Sequence, residues 1–244
     1  MSFQNHQPNF QDQINPNWKE EQTRHLQTLT IASQNPTNPS FLSQTIEKVV
    51  AHYEKYHTYK TRMARQDNAL VFLSPPWNTP FEDSLVWIGG WRPNTAFRVI
   101  CTLSGQAQYP YLTTDQLRSL CELERIIAKD EMAITDEMAQ QNQLGVTSMK
   151  MVELSHEMSK PGRGSLFDDD EKIDLVLRPN EEGFRKILEK ADELRLRTIK
   201  GIVRVMTPIQ AVHFLIAATE LQLKVHGLGK AEEESQINAT TAAN

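Results

Sequence analysis

Apolar residues return every three or four positions along nearly the whole chain, and no stretch alternates with period two between hairpin turns, so the pattern predicts helices and no sheet. Asn17 caps a first helix carrying Trp18, Leu26 and Leu29, which stops at the QNPTNP loop of residues 34–39. From Ser40 the series Leu42, Ile46, Val49, Tyr53, Tyr56, Lys60, Met63 marks a long amphipathic helix with one polar position in its stripe. Prolines 75, 76 and 80 end that run. Thr79, Pro80 and Glu82 then spell a helix start: a hydroxyl cap, a proline at the first helical position and a carboxylate returning to the cap amide. Gly89 and Gly90 are expected to close this helix, and Pro93 with Asn94 to launch another that runs to Gly105.

Thr113 or Thr114 caps a very long helix with Leu117, Leu120, Leu123, Ile127, Ile134 and Met138 on one side, ending near Gly145. A further helical segment holds Met149, Val152 and Leu154. The KPGRGSLFDDDEK stretch at 160–172 reads as an exposed loop, its acidic run as solvated charge. A helix from Asn180 carries Phe184, Leu188, Ala191, Leu194, Ile202 and Val205, and Thr207-Pro208-Ile209-Gln210 opens a last one that ends at Gly227. Residues 1–16 and 231–244 offer little to bury and read as disordered tails. The expectation is therefore an all-α chain: a single bundle of about seven helices over residues 17–230, one of them long.

Composition narrows the chemistry. With 26 basic residues against 31 acidic ones the net charge is −5, which supplies no general field toward phosphates, so direct nucleic-acid binding is not expected. The local group Lys55, Lys60, Arg62 and Arg65 sits on the amphipathic helix and reads as a solvated face. Two cysteines outside any CxxC pair suit reduced thiols in the nucleus or cytoplasm, and no window is apolar for long enough to cross a membrane. Phosphate loops, dinucleotide fingerprints, nucleophile elbows and zincin motifs are all missing, so no catalytic residue and no metal site is expected.

The run WIGGWRP, with Trp87, Gly89, Gly90, Trp91, Arg92 and Pro93 as its structural junction, precedes an apolar helix ending in SG. Together with the final TPIQAVHFLIAATELQLKVHGLG helix and the early Trp18, it resembles the plant Delay of Germination (DOG) domain, which also forms the C-terminal half of the TGA bZIP factors. The resemblance implies a non-enzymatic regulatory protein, a protein–protein adaptor in transcriptional or hormone-linked control of the seed-dormancy and germination kind. Its partners would be regulatory proteins such as phosphatases or transcription factors, and the helix between Thr114 and Gly145 would serve as a partner or homodimer surface. The family's dormancy regulator engages type 2C phosphatases through an Asp-Ser-Tyr-Leu-Glu-Trp run, of which this chain keeps only Trp18 in Gln13-Ile14-Asn15-Pro16-Asn17-Trp18.

The resemblance also implies two small-molecule alternatives, although no cofactor is expected on the main reading. The dormancy regulator binds haem through two histidines four residues apart in its last helix, where this chain has Gln222 and His226. That leaves His226 as a single haem candidate. The TGA domain holds a fatty acid between helices, and Phe81, Trp87, Phe97 and Phe214 could enclose such a tail here. A second alternative is sequence-specific DNA binding of the TGA kind. In bZIP proteins that contact comes from a basic helix, whereas residues 1–40 contain only Lys19 and Arg24 as basic side chains.

Overall fold

The computed structural model describes residues 15–66, 69–73, 75, 78–106, 110–147 and 166–242, and among these it is all-helical. Eight helices follow in order: α1 Asn15–Ser33, α2 Pro39–Gln66, α3 Ala69–Leu73, α4 Pro80–Leu85, α5 Thr95–Ser104, α6 Thr114–Thr147, α7 Leu166–Val205 and α8 Pro208–Ala242. Three of the caps read from sequence are formed, whereas Asn17 lies inside α1 and Asn94 makes no side-chain cap bond to α5. Thr79 accepts from the Glu82 amide while the Glu82 carboxylate accepts from the Thr79 amide, so α4 starts in a complete capping box. Of the two threonines considered for α6, Thr113 is the one that exchanges hydrogen bonds with Gln116. Thr207 and Gln210 do the same for α8.

Three boundaries differ from expectation. Helix α4 ends at Leu85, before the glycines, because the chain turns back on itself from Trp87 to Gly90 in an isolated antiparallel bridge. Residues 166–172, expected in an exposed loop, already belong to α7, which runs through Pro179. Helix α8 continues past Gly227 to Ala242, through most of the stretch expected to be a tail. The short α3 was not foreseen, and the predicted segment around Met149 to Leu154 lies outside the described residues.

Helices α6 and α7 form the most extensive pair, with α7 also against α2 and α3, and α8 packs across α1, α2, α4 and α5. One cluster unites α1, α2, α5, α6, α7 and α8, with Leu29, Val49, Ile127, Ile202, Val212 and Phe214 among its fully buried members, and Ala69 and Phe72 of α3 pack with Ala64 and Leu188 in a second. Burying such side chains contributes about 1.5–3 kcal/mol each. Helix α6 spends its apolar side on this core through Leu120, Ile127 and Ile134. Its exposed side carries Arg118, Glu122 and Arg125 together with Leu117, Ile126 and Met132, so Leu117 is not in the buried stripe expected for it.

Candidate functional site

The Trp87–Gly90 turn is the centre of the site. Its two ends exchange hydrogen bonds, Trp87 N to Gly90 O at 2.7 Å and Gly90 N to Trp87 O at 3.2 Å. The residues between them, Ile88 and Gly89, have φ of 43° and 69°. This is the arrangement of a type I′ turn, in which both central residues need positive φ. Glycine adopts it freely, but a β-branched isoleucine does so only under constraint. A Cβ on Gly89 would lie 2.2 Å from the Phe72 carbonyl oxygen, so space as well as φ demands glycine there.

The constraint comes from buried cations beneath the turn. The Arg195 guanidinium, on α7, donates to the carbonyl oxygens of Trp87, Ile88 and Trp91, and stands 5.3 Å from the centre of the Trp87 ring. Lys60, on α2, donates to Gly89 O at 2.7 Å and to Asp192 Oδ1 at 3.1 Å. Asp192 also accepts from Arg195 at 2.5 Å, and His57 Nδ1 lies 3.3 Å away. All three charged groups are at most 3% exposed. Turn carbonyls that would otherwise be sealed from water without donors are thus satisfied by two cations, and one carboxylate balances part of their charge.

Burial shapes the acid–base behaviour. It lowers the Lys60 ammonium to about 8, although Asp192 pulls the other way. Burial alone would raise the Asp192 carboxyl, but Lys60, His57 and Arg195 outweigh it and hold the group well below the usual carboxylate range. Burial also pushes the Tyr56 hydroxyl up. The cluster is therefore ionised at neutral pH and engaged with itself and the backbone.

The rest of the junction is pinned from α6. Glu131 accepts from Arg92 Nε at 2.7 Å and from the Asn94 amide at 2.9 Å, capping α5 from a distant helix. Trp87 Nε1 donates to Thr135 Oγ1 at 3.0 Å. Pro93 is buried. All six junction residues singled out in the sequence are gathered here. Lys60, Asp192, Arg195 and Glu131 were missed, and Lys60 corrects the solvated-face reading of its cluster. One signal existed: a lysine in the apolar stripe of α2 is a polar residue at a core register.

His226 lies elsewhere in the same region and has a structural partner. Its Nδ1 is 3.0 Å from both carboxylate oxygens of Glu82. Burial raises Glu82, but the Thr79 amide and His226 together lower it, so the carboxylate is ionised and accepts the Nδ1 proton. His226 thereby ties α8 to the capping box of α4. Gln222, one turn earlier, is bonded to Gln22 and to the Tyr53 hydroxyl.

Between α2, α4, α8 and the turn lies a cavity of about 420 Å³, partly open to solvent. Lys60, Asp192, Arg195 and His57 lie along its base, with Tyr53, Tyr56, Trp91, Leu85 and Leu221 among the walls. A second, almost wholly apolar chamber of about 60 Å³ adjoins it and shares Tyr53, Trp91 and Leu221. Phe214 lines the small chamber, while Trp87 and Phe97 are core residues, so of the four aromatics expected to enclose a tail only Phe214 lines either of these two cavities. Among the described residues no cluster of His, Cys, Asp and Glu suits a metal ion, and no helix is long and apolar enough to cross a membrane.

Comparison with known proteins places these features in context. The family model DOG1, described as seed dormancy control, matches residues 25–102, which include α2 to α4 and the turn. Protein DOG1-like 4 of Arabidopsis thaliana is 32% identical over 206 residues, covering 84% of this chain and 85% of that protein. Protein DOG1-like 2 of the same plant is 31% identical over 236 residues, 87% of each chain. Transcription factor TGA10, also from Arabidopsis thaliana, is 29% identical over 83% of this chain and 42% of its own length.

Proposed function

This chain belongs to the DOG1-like protein family, related to the TGA transcription factors, and from that premise we propose that it is a regulatory adaptor that performs no catalysis. It works by holding protein partners in transcriptional or hormone-linked control of the dormancy and germination kind, in the nucleus or cytoplasm, with no DNA contact of its own. The observation that carries this reading is the commitment of Lys60, Asp192 and Arg195. The strongest ionisable constellation of the described residues is spent on one another and on the turn carbonyls, as a scaffold requires and a general acid or base could not tolerate.

The test is affinity capture of the tagged protein from its native tissue, followed by titration of each recombinant candidate against the purified chain. A stoichiometric complex with a phosphatase or a transcription factor is the expected result. Failure of every candidate to reconstitute, or turnover of a substrate by the pure chain, refutes the adaptor. Sedimentation across a concentration series reports whether α6 pairs two copies. A salt-dependent mobility shift with duplex DNA at physiological ionic strength would favour the DNA-binding alternative and is not expected.

The cavity favours one second reading, a small-molecule sensing module for a fatty acid or haem. Haem has weak support, because the second histidine of the pair is Gln222 and His226 already serves Glu82. Haemin titration compared with His226→Ala decides it: no Soret shift, or the same shift in both proteins, removes His226 as a ligand. Mass spectrometry of a solvent extract of the purified protein tests the lipid.

A further inference from the structure

Resting on the small-molecule reading, we infer that the 420 Å³ cavity is a receptor site for a compact, ring-bearing organic acid, with its carboxylate toward Lys60 and His57 and its ring among Tyr53, Tyr56 and Trp91. Four observations carry this.

The first is size and shape. The volume falls in the range of about 300–1,000 Å³ typical of small-molecule sites, and the chamber is half enclosed rather than a surface groove.

The second is charge. Three cationic side chains line the cavity, Lys60, Arg92 and Arg195, against two carboxylates, Asp192 and Glu82. Arg92 is matched by Glu131, and Glu82 is held by His226 and its capping box, so the local balance rests with Lys60, Arg195 and Asp192. The base is a buried pair of cations sharing one anion, which leaves a positive excess in a medium where an uncompensated charge is costly. An incoming anion removes that excess.

The third is unused hydrogen-bonding capacity. Lys60 spends two of its three N–H donors, on Gly89 O and Asp192 Oδ1. Both ring nitrogens of His57 and Asp192 Oδ2 are buried without a hydrogen-bond partner. Buried polar atoms are nearly always paired, and a histidine that lines the cavity with an unpartnered N–H gives an incoming carboxylate a donor to meet.

The fourth separates a ring from a long chain. Three aromatic side chains form the walls, suited to stacked or edge-on rings. The apolar continuation is only about 60 Å³, the share of about two water molecules in the liquid, so an extended alkyl tail has no channel to follow. A long chain would have to coil in the outer chamber and give up its rotamer freedom.

The experiment uses the full chain with three probes, 2-naphthoate, its uncharged analogue 2-naphthamide, and hexadecanoate, each titrated by calorimetry with thermal unfolding in parallel. Naphthoate is expected to bind and raise the unfolding midpoint, and the amide to bind at least about tenfold more weakly, because it lacks the charge that the base balances. Leu221→Trp fills the mouth from an exposed position and is expected to abolish naphthoate binding with its own unfolding midpoint kept. Lys60→Met should reduce naphthoate to the level of the amide. If that variant fails to fold, the acid–amide comparison in the unaltered protein still reads the charge. Equal binding of acid and amide, or naphthoate binding unmoved by Leu221→Trp, overturns the inference. Binding of hexadecanoate without naphthoate also overturns it but leaves the sensing reading standing. No binding of any probe takes both away.

Discussion

Replacing Asp192 by Asn tests the central physical claim, because it keeps the shape of the side chain and removes only the anion between Lys60 and Arg195. At 3.1 Å from Lys60 and 2.5 Å from Arg195, the carboxylate is the countercharge bonded to both of two cations that are at most 2% exposed. The amide can still accept one hydrogen bond, but both cations remain buried without a full negative partner. Breaking a buried pair in this way costs about 3–5 kcal/mol. Against a total stability of about 5–15 kcal/mol, and at roughly 2–4 °C per kcal/mol for a chain of this size, the unfolding midpoint should fall by about 6–20 °C. Urea unfolding followed by circular dichroism measures the loss. Lys60→Met in the Asp192→Asn background removes one of the orphaned cations, so the double variant should be less destabilised than the sum of the two singles by at least about 1 kcal/mol. The pH dependence follows from the same group. The folded carboxyl lies below its ordinary value, so its contribution is complete above about pH 4 and disappears as the pH falls further. The gap between the unaltered protein and Asp192→Asn must therefore close in acid. A cost below 1 kcal/mol at neutral pH, strict additivity in the cycle, or a gap that persists at the acid limit would refute the reasoning.

Other positions make separate predictions. Gly89→Ala should cost about 3 kcal/mol or more, since it combines the left-handed backbone penalty with a clash against the Phe72 carbonyl, and chemical denaturation will report it. His226→Ala should cost about 1–2 kcal/mol through loss of the Glu82 hydrogen bond, and amide exchange should quicken in α4 before the rest of the bundle. His52, its ring tilted against that of His25 at 4.7 Å and its Nδ1 2.9 Å from Glu21, is lowered by burial to about 4. Its folded value lies below the unfolded one, so it contributes fully above about pH 6.5 and its contribution is lost as the pH falls toward 4. His52→Gln should flatten that part of the stability profile, and an unchanged slope would refute the assignment.

What the chain determined by itself is local. Thr79 with Glu82, Thr113 or Thr114, and Thr207 with Gln210 announce helix starts through side chains within one turn of the amides they satisfy, so spacing alone carries the signal. The periodic stripes fixed the all-helical class in the same way, because a period near 3.6 presents one apolar face whatever that face later meets. Even the importance of Gly89 and Gly90 was legible, although their role as a helix ending was not the role they play. Tertiary structure decided the remainder. Lys60 and Asp192 are 132 positions apart and meet only when α2 and α7 pack, so nothing in the neighbourhood of either residue states that a lysine in an apolar stripe is to be buried rather than solvated. The strained turn at Ile88 is likewise a product of packing, since three carbonyl oxygens held by Arg195 from α7 impose a backbone conformation that isoleucine would not choose alone. Helix boundaries at 166–172 and beyond Gly227 escaped for a related reason: propensity and charge argue for exposure, and long helices override them once part of their length is fixed by neighbours.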